Sequence, residues 1–348
     1  MTAVAIAVED ITPAWLSSAL HLPIARVQTE RIGTGQMGAT YRVAINYEGG
    51  AVGPEVLVAK LAAADPDART RVAEGYRKEV QFYLHIASTV DVCAPRCWYA
   101  AISDDATTFT LLLDDLAPAT PGVQARGCTV DAAINAVRNL AGLHAPRWND
   151  PKLAGMDFLS LFDADSASFV GTLLGEATTS FVKRFDDELD EDDVATLHDA
   201  AAATARWLTI RPAPFALLHG DYRLDNLMFA PDGSVTAVDW QTLSLGPPLR
   251  DVAYFLGNSL EVELRRTHEA DIVRAYHDDL VLRGVTGYDL EQCFEDYRLG
   301  QLHGPLITVF GCEYATGARN AQSNEMFIVM ARRSCAAIRD LDTLELVR

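Results

Sequence analysis

Asp221 and Asn226 share a polar loop between two apolar runs, in Leu217-Leu218-His219-Gly220-Asp221-Tyr222-Arg223-Leu224-Asp225-Asn226-Leu227-Met228-Phe229. A second aspartate, Asp239, directly follows the strand-like Val235-Thr236-Ala237-Val238 and opens Asp239-Trp240-Gln241. Both carboxylates and the amide therefore fall at strand ends or in a tight loop, where one cleft can collect them. Transfer of a phosphoryl group from ATP needs such a set. A carboxylate must accept or orient the proton of the attacking hydroxyl, and hard oxygen donors must hold Mg²⁺ against the phosphates. Asp221 suits the first task; Asn226 and Asp239 suit the second. Any one of these residues is ordinarily a turn former or a cap. The spacing, the apolar flanks and the order H-x-D-x-x-x-x-N followed by a strand-end Asp carry the assignment.

The same chemistry needs a cation for the phosphate oxygens, held in place by a partner. Val56-Leu57-Val58-Ala59-Lys60 offers Lys60 at the end of an apolar strand. A helix follows with two candidate partners, Glu74 and Glu79. Glu79 is preferred because it shares a helix face with Phe82 and Tyr83. Upstream, Gly33, Gly35 and Gly38 spell G-x-G-x-x-G. A dinucleotide fold would place a helix directly after such glycines. Residues 39–45 instead alternate like a strand, which favours a hairpin folded over phosphates.

The elements that must position these groups fall into two parts. Thr12 and Pro13 open a short helix over 12–20. Residues 27–60 read as antiparallel strands with Gly-rich turns. Residues 69–88 read as one helix, with Val72, Tyr76, Val80, Tyr83 and Leu84 inward. Strands are expected at 96–102 and 107–113, and Pro118 and Pro121 break the chain after Leu116. The expected domains are thus an N-terminal ATP-binding lobe over 1–116 and a helical C-terminal lobe over 117–348. The second carries the catalytic loop and the substrate site, with helices at 130–145, 193–209, 261–283 and 289–303. The acidic run at 186–193 reads as a solvated helix start.

These motifs resemble the aminoglycoside phosphotransferase and choline kinase superfamily. His219-Gly220-Asp221 with Asn226 is similar to its catalytic loop, Val238-Asp239-Trp240-Gln241 to its metal segment, and Glu79 with Phe82-Tyr83 to its Glu-x-x-Phe-Tyr. Leu113-Asp114-Asp115-Leu116 resembles its Leu-Glu-Asp-Leu hinge, with Asp114 where Glu is usual. The resemblance spans roughly residues 31–257. It implies an α+β, protein-kinase-like bilobal fold, with an antiparallel five-stranded N-lobe sheet and a mainly helical C-lobe. It also implies adenine contacts from the Leu113 carbonyl and the Asp115 amide, and ATP- and Mg²⁺-dependent O-phosphorylation of a small hydroxylated molecule. Asp251, in Gly246-Pro247-Pro248-Leu249-Arg250-Asp251, would fasten the catalytic loop, and His144 would be a buried hydrogen-bonding residue. Only Thr242 to Leu245 separate Gln241 from Gly246, which leaves no activation loop and disfavours a protein kinase. Trp148, the acidic run, His303, Glu313 and Tyr314 are candidate substrate contacts by location alone. Two rival readings stay open: a non-catalytic nucleotide-binding relative acting as a sensor or partner-binding protein, and an oxidoreductase resting on the glycines.

Composition narrows the partners. The 348 residues carry a net charge of −19, which argues against a nucleic-acid surface and favours a cationic substrate. A hydrophobic share of 49% excludes wholesale disorder. No run reaches the ~18–20 apolar residues of a membrane span. Residues 1–8 are apolar but lack the basic start of a signal peptide. Six scattered cysteines with no C-x-x-C pair suit reduced thiols, so a cytoplasmic location is expected.

Overall fold

The computed structural model describes residues 4–33, 38–314 and 320–348. The first part of the chain is a five-stranded antiparallel sheet, in the order β1-β2-β3-β5-β4. Its strands are β1 (Ile24–Ile32), β2 (Gly38–Tyr47), β3 (Val56–Ala62), β4 (Cys97–Ile102) and β5 (Phe109–Asp114). Period-two alternation sets its faces. Leu57, Ala59 and Leu61 of β3 are buried against Val43, Ile45 and the short helix α1 (Pro13–Leu20). Thr12 caps that helix by accepting from the Trp15 amide at 3.2 Å. Lys60 points to the opposite side, toward Glu79 of α2 (Pro66–Gln81), whose N-terminus is capped by Asp65.

The expected single helix over 69–88 is divided. The α-helix ends at Gln81, Phe82–Ile86 form a wide π turn, and Ala87–Thr89 a tight 3-10 turn. Packing explains the change of pitch. Phe82 stacks flat on Trp240, with ring centroids 3.6 Å apart at 7°, and both Phe82 and Ile86 are fully buried. One extra residue in the turn re-aims both side chains into the larger core. Leu84, expected inward by its spacing, is 49% exposed.

The remainder is mainly helical. It holds α3 (Val130–His144), α4 (Ala164–Arg184), α5 (Glu191–Ile210), α6 (Leu249–Ser259), α7 (Val262–Leu282), α8 (Leu290–Gly300), α9 (His303–Glu313) and α10 (Ala321–Asp340). Helix α4 had no counterpart in the sequence reading. The pattern at 289–303 ends earlier than expected, because Pro305 has no amide to give the Gln301 carbonyl, which accepts from the Gly304 amide at 3.0 Å instead. In the acidic run, Asp190 caps α5 through the Asp193 amide at 2.7 Å. Asp193 is itself buried and paired with Arg339 at 2.9 Å, so that part of the run is not solvated. Short strands lie among these helices: β6 (Thr120–Pro121), β7 (Ala216–Leu218), β8 (Leu227–Phe229), β9 (Val235–Ala237) and β10 (Ser244–Gly246). The β8–β9 hairpin and the β7–β10 pair frame the loop from His219 to Asn226. Among the described residues no helix is long and apolar enough to cross a membrane.

Candidate active site

The site begins at the central strand of the sheet. Lys60 lies between Thr40 of β2 and Leu111 of β5. Its ammonium reaches both oxygens of Glu79, at 2.8 Å to Oε1 and 2.7 Å to Oε2, and Oδ1 of Asp239 at 3.0 Å. Glu79, not Glu74, is the partner. Gln241 donates to Glu79 Oε2 at 3.1 Å, tying α2 to the segment after β9. Burial opposes the charge on Lys60, but Asp239 and Glu79 outweigh it and hold the ammonium above its usual range. The two carboxylates separate. Burial, reinforced by the Asp239 charge, pushes Glu79 upward despite Lys60. Asp239 stays below the usual range because the charge of Lys60 and its hydrogen bond overcome the burial of Asp239. One cation thus faces two carboxylates, of which Asp239 is the one held below its usual range.

The loop after β7 supplies the other groups. Asn226 donates from Nδ2 to the Asp221 carbonyl at 2.9 Å and to Asp221 Oδ2 at 3.0 Å. Two acceptors at one end fix the orientation of the amide, so Oδ1 of Asn226 is left without a partner among the described residues. Asp239 likewise spends only Oδ1, on Lys60. The Val238 amide donates to the Asn226 carbonyl at 3.0 Å, so Asn226 and Asp239 flank the same hairpin. Two free oxygens beside an excess of negative charge are the donor set that Mg²⁺ takes from a protein. Among the described residues no cluster of three or more His, Cys, Asp or Glu could hold a metal, which a two-oxygen set does not require.

A layer of buried groups holds the loop. Asp251 accepts from the His219 amide at 2.7 Å and the Gly220 amide at 3.0 Å, and it contacts His144 Nε2 at 3.4 Å. Its own burial works against ionisation, but the hydrogen bond with His144 outweighs that and keeps it below the usual carboxylate range. His144 Nδ1 meets the Tyr276 hydroxyl at 2.8 Å. His219 donates from Nε2 to the Val238 carbonyl at 3.0 Å and accepts the Asp221 amide on Nδ1 at 3.3 Å, which selects a neutral tautomer. Gly220 sits at φ 81°, and a Cβ there would stand 2.5 Å from the Thr242 carbonyl oxygen. Gly220→Ala is expected to lower stability by at least about 1–3 kcal/mol, the cost of the left-handed backbone. Urea unfolding reads it, and an unchanged midpoint would remove this glycine from the framework.

Several side chains at the site carried no sequence expectation. Tyr254 donates its hydroxyl to Asp221 Oδ1 at 2.7 Å. Arg223 donates from Nε to Asp221 Oδ2 at 3.1 Å and from Nη1 to Asp225 at 2.9 Å. Gln124 accepts the Leu224 amide at 2.8 Å. The signals were positional: Tyr254 lies one turn after Asp251 on α6, and Arg223 and Gln241 each lie two residues after an expected site aspartate.

The remaining candidates are placed as follows. Asp114 accepts from Trp98 Nε1 at 2.6 Å, and Asp115 pairs with Arg42 at 2.8 Å, while Leu113 is buried at the end of β5. Gly33, at φ 69°, and Gly38 bracket the junction of β1 and β2, and a Cβ on Gly38 would stand 2.7 Å from the Leu61 carbonyl oxygen. Gly35 lies outside the described residues. The chain runs into β2 after these glycines, not into a helix. His303 is buried and donates to the Gly220 carbonyl at 3.0 Å, with its basicity lowered by burial, so it supports the loop. Trp148 packs on Tyr288, Glu313 accepts from Ser180 at 2.7 Å, and Tyr314 is exposed.

The sequence profile of the ecdysteroid kinase-like family matches residues 33–283, which include Lys60, Glu79, Asp221, Asn226, Asp239 and Asp251, while His303, Glu313 and Tyr314 lie beyond it. The chain belongs to the ecdysteroid kinase-like family. Solved structures place this ecdysteroid kinase-like chain in the same fold as small-molecule kinases. Choline kinase from Cryptosporidium parvum superposes with a TM-score of 0.59 at 10% identity, covering 95% of this chain and 93% of that one. Choline kinase from Streptococcus pneumoniae gives 0.51 at 12%, covering 96% and 99%. A spectinomycin phosphotransferase in complex with ADP and spectinomycin gives 0.53 at 12%, covering 93% and 97%. The fold is α+β and protein-kinase-like, and the family is one of kinase-like small-molecule phosphotransferases. Acyl-CoA dehydrogenase family member 10 of Mus musculus is 35% identical over 79 residues, 20% of this chain. Family member 11 of Gallus gallus is 42% identical over 71 residues, 16% of this chain. The matched segments span only 7% and 9% of those two proteins.

Proposed function

We propose that this chain transfers the γ-phosphoryl group of ATP to a hydroxyl of a small molecule. The observation that carries the reading is the meeting of Lys60, Glu79 and Asp239 beside the Asp221–Asn226 loop. It supplies an amine for phosphate oxygens, a carboxylate to hold that amine, a base, and two free hard oxygens. The ADP bound to the spectinomycin phosphotransferase of the same fold supports a nucleotide in this cleft.

In this reading residues 1–116 form the nucleotide lobe and 117–348 the lobe that receives the acceptor. Adenine meets the Leu113 carbonyl and the Asp115 amide, since the side chains of Asp114 and Asp115 are committed to Trp98 and Arg42. Gly33 and Gly38, at the facing ends of β1 and β2, lie beside the phosphates. Asn226 Oδ1 and Asp239 Oδ2 would hold Mg²⁺, which when bound neutralises phosphate charge. Asp221 orients the acceptor hydroxyl and takes its proton. The hydroxyl oxygen forms a bond to the γ-phosphorus, the bond to the β-phosphate bridging oxygen breaks, and ADP leaves. Catalysis is positioning and charge neutralisation with no covalent intermediate. The net charge of −19 favours a cationic acceptor, and the reading places the reaction in the cytoplasm, where ATP is supplied.

Acceptor-stimulated ADP release in Mg²⁺ and ATP tests this function. Stimulation by at least one hydroxylated small molecule is expected, and ATP binding without any turnover would contradict it. Lys60→Ala and Glu79→Ala are each expected to impair ATP use, and the double variant to be little worse than either. Two residues acting as one unit give such non-additive losses. Fully additive losses in ADP release would move the phosphate-binding role elsewhere.

A further inference from the structure

The hydrogen bonds around Asp221 decide which of its oxygens can meet a substrate. An ionised carboxylate offers about four lone-pair sites, two on each oxygen. Oδ2 receives Asn226 Nδ2 at 3.0 Å and Arg223 Nε at 3.1 Å, so both of its sites are taken. Among the described residues, Oδ1 receives only the Tyr254 hydroxyl, at 2.7 Å. We propose that Tyr254 and Arg223 are positioning residues that saturate Asp221 from two sides and leave one lone pair of Oδ1 as the sole docking point for the acceptor hydroxyl. This rests on the phosphoryl-transfer reading above.

Each half of the clamp has its own anchor. Tyr254 is fully buried on α6, its ring edge-on to His303 with centroids 5.4 Å apart. It therefore cannot touch a substrate and acts through Asp221. The same helix carries Asp251, which grips the His219 and Gly220 amides. One rigid element thus fixes both the loop backbone and the carboxylate. Arg223 is held from the other side by Asp225 at 2.9 Å and by Met326 Sδ of α10 at 2.9 Å. With both ends pinned, the plane of the carboxylate is set, and a hydroxyl donating to Oδ1 approaches along one direction. In transfer its proton passes to that oxygen as the new O–P bond forms and ADP departs. Without the Tyr254 hydroxyl, Oδ1 has two open sites and its carboxylate loses one restraint. Acceptors then also dock in a geometry that does not face the γ-phosphorus.

The test uses water as the acceptor, so no substrate need be known. Slow hydrolysis of ATP with Mg²⁺ is followed as phosphate release in the full-length wild type, Tyr254→Phe, Arg223→Met and Asp221→Asn. Tyr254→Phe is expected to lower kcat by ~10–100-fold, the worth of one charge-assisted hydrogen bond, with KM for ATP unchanged. Arg223→Met, at a partly exposed position, should give the same split and keeps the test open if Tyr254→Phe does not fold. Turnover that depends on Asp221 but keeps its wild-type kcat in Tyr254→Phe and Arg223→Met, or changes only in KM, overturns the clamp and leaves the function standing. Wild-type protein that binds ATP but shows neither hydrolysis nor acceptor-stimulated ADP release dependent on Asp221 overturns the phosphoryl-transfer reading, and the clamp with it.

Discussion

Asp221→Asn is expected to lower turnover by ~10²–10⁴, the usual range for losing a general base, while folding and ATP binding persist. The structure gives the reason the fold survives. The asparagine carbonyl can take the place of Oδ2 and accept from Asn226 and Arg223, as the carboxylate does at 3.0 and 3.1 Å. Its amide then sits at the Oδ1 position and donates to the Tyr254 hydroxyl oxygen, reversing the bond now seen at 2.7 Å. Asn226, Arg223 and the Tyr254 oxygen each keep a partner, and the change gives up the ability to take a proton together with the acceptor of the Tyr254 hydroxyl. Thermal unfolding and ATP titration should match the wild type. Near-wild-type turnover in a folded variant would remove Asp221 from the mechanism.

The second large effect belongs to Asp239. Its replacement should remove the dependence of ATP affinity on Mg²⁺ and abolish transfer, because an ionised carboxylate is the strongest hard ligand in the set. The choice of variant matters. Asp239 sits at φ 67°, a left-handed conformation that asparagine tolerates and alanine resists. Asp239→Asn therefore removes the charge with little backbone cost, and Asp239→Ala adds strain to the same loss. Asn226→Ala should weaken Mg²⁺-dependent binding less, since a neutral amide contributes less to a dication. Calorimetric titration of ATP with and without Mg²⁺ separates these cases. Equal Mg²⁺-supported affinity in wild type and Asp239→Asn would place the metal elsewhere.

What could be read from the chain depended on whether a signal was local. The alternation around Lys60 and over residues 39–45 encodes these strands within a few residues, and the sheet follows it. Glu79 was separable from Glu74 because both ride one helix and only one shares a face with Phe82 and Tyr83; its carboxylate meets Lys60 at 2.8 Å. The loop from His219 to Asn226 and the strand-end Asp239 were legible because their order and flanking apolar runs are local too. The π turn at Phe82–Ile86 was not, since its cause is Trp240, a residue far along the chain that takes the face of Phe82. Tyr254 and Arg223 look like an ordinary core tyrosine and an ordinary loop arginine until α6 is docked beside the loop. Helix α4 lies where no motif marks the chain, and its small and apolar residues find their meaning only against α5 and α9.

The most direct measurement is the mass of the acceptor itself. The full-length protein would be incubated with Mg²⁺, ATP and a panel of hydroxylated small molecules that includes choline-like amines, sterol-like alcohols and aminoglycosides. Each acceptor would then be weighed before and after the reaction, with Asp221→Asn in parallel. One acceptor class should gain a single phosphoryl group with the wild type and not with Asp221→Asn, in step with ADP formation. ATP that is bound while every acceptor keeps its mass, or a mass gain that survives in Asp221→Asn, would contradict phosphoryl transfer by this site.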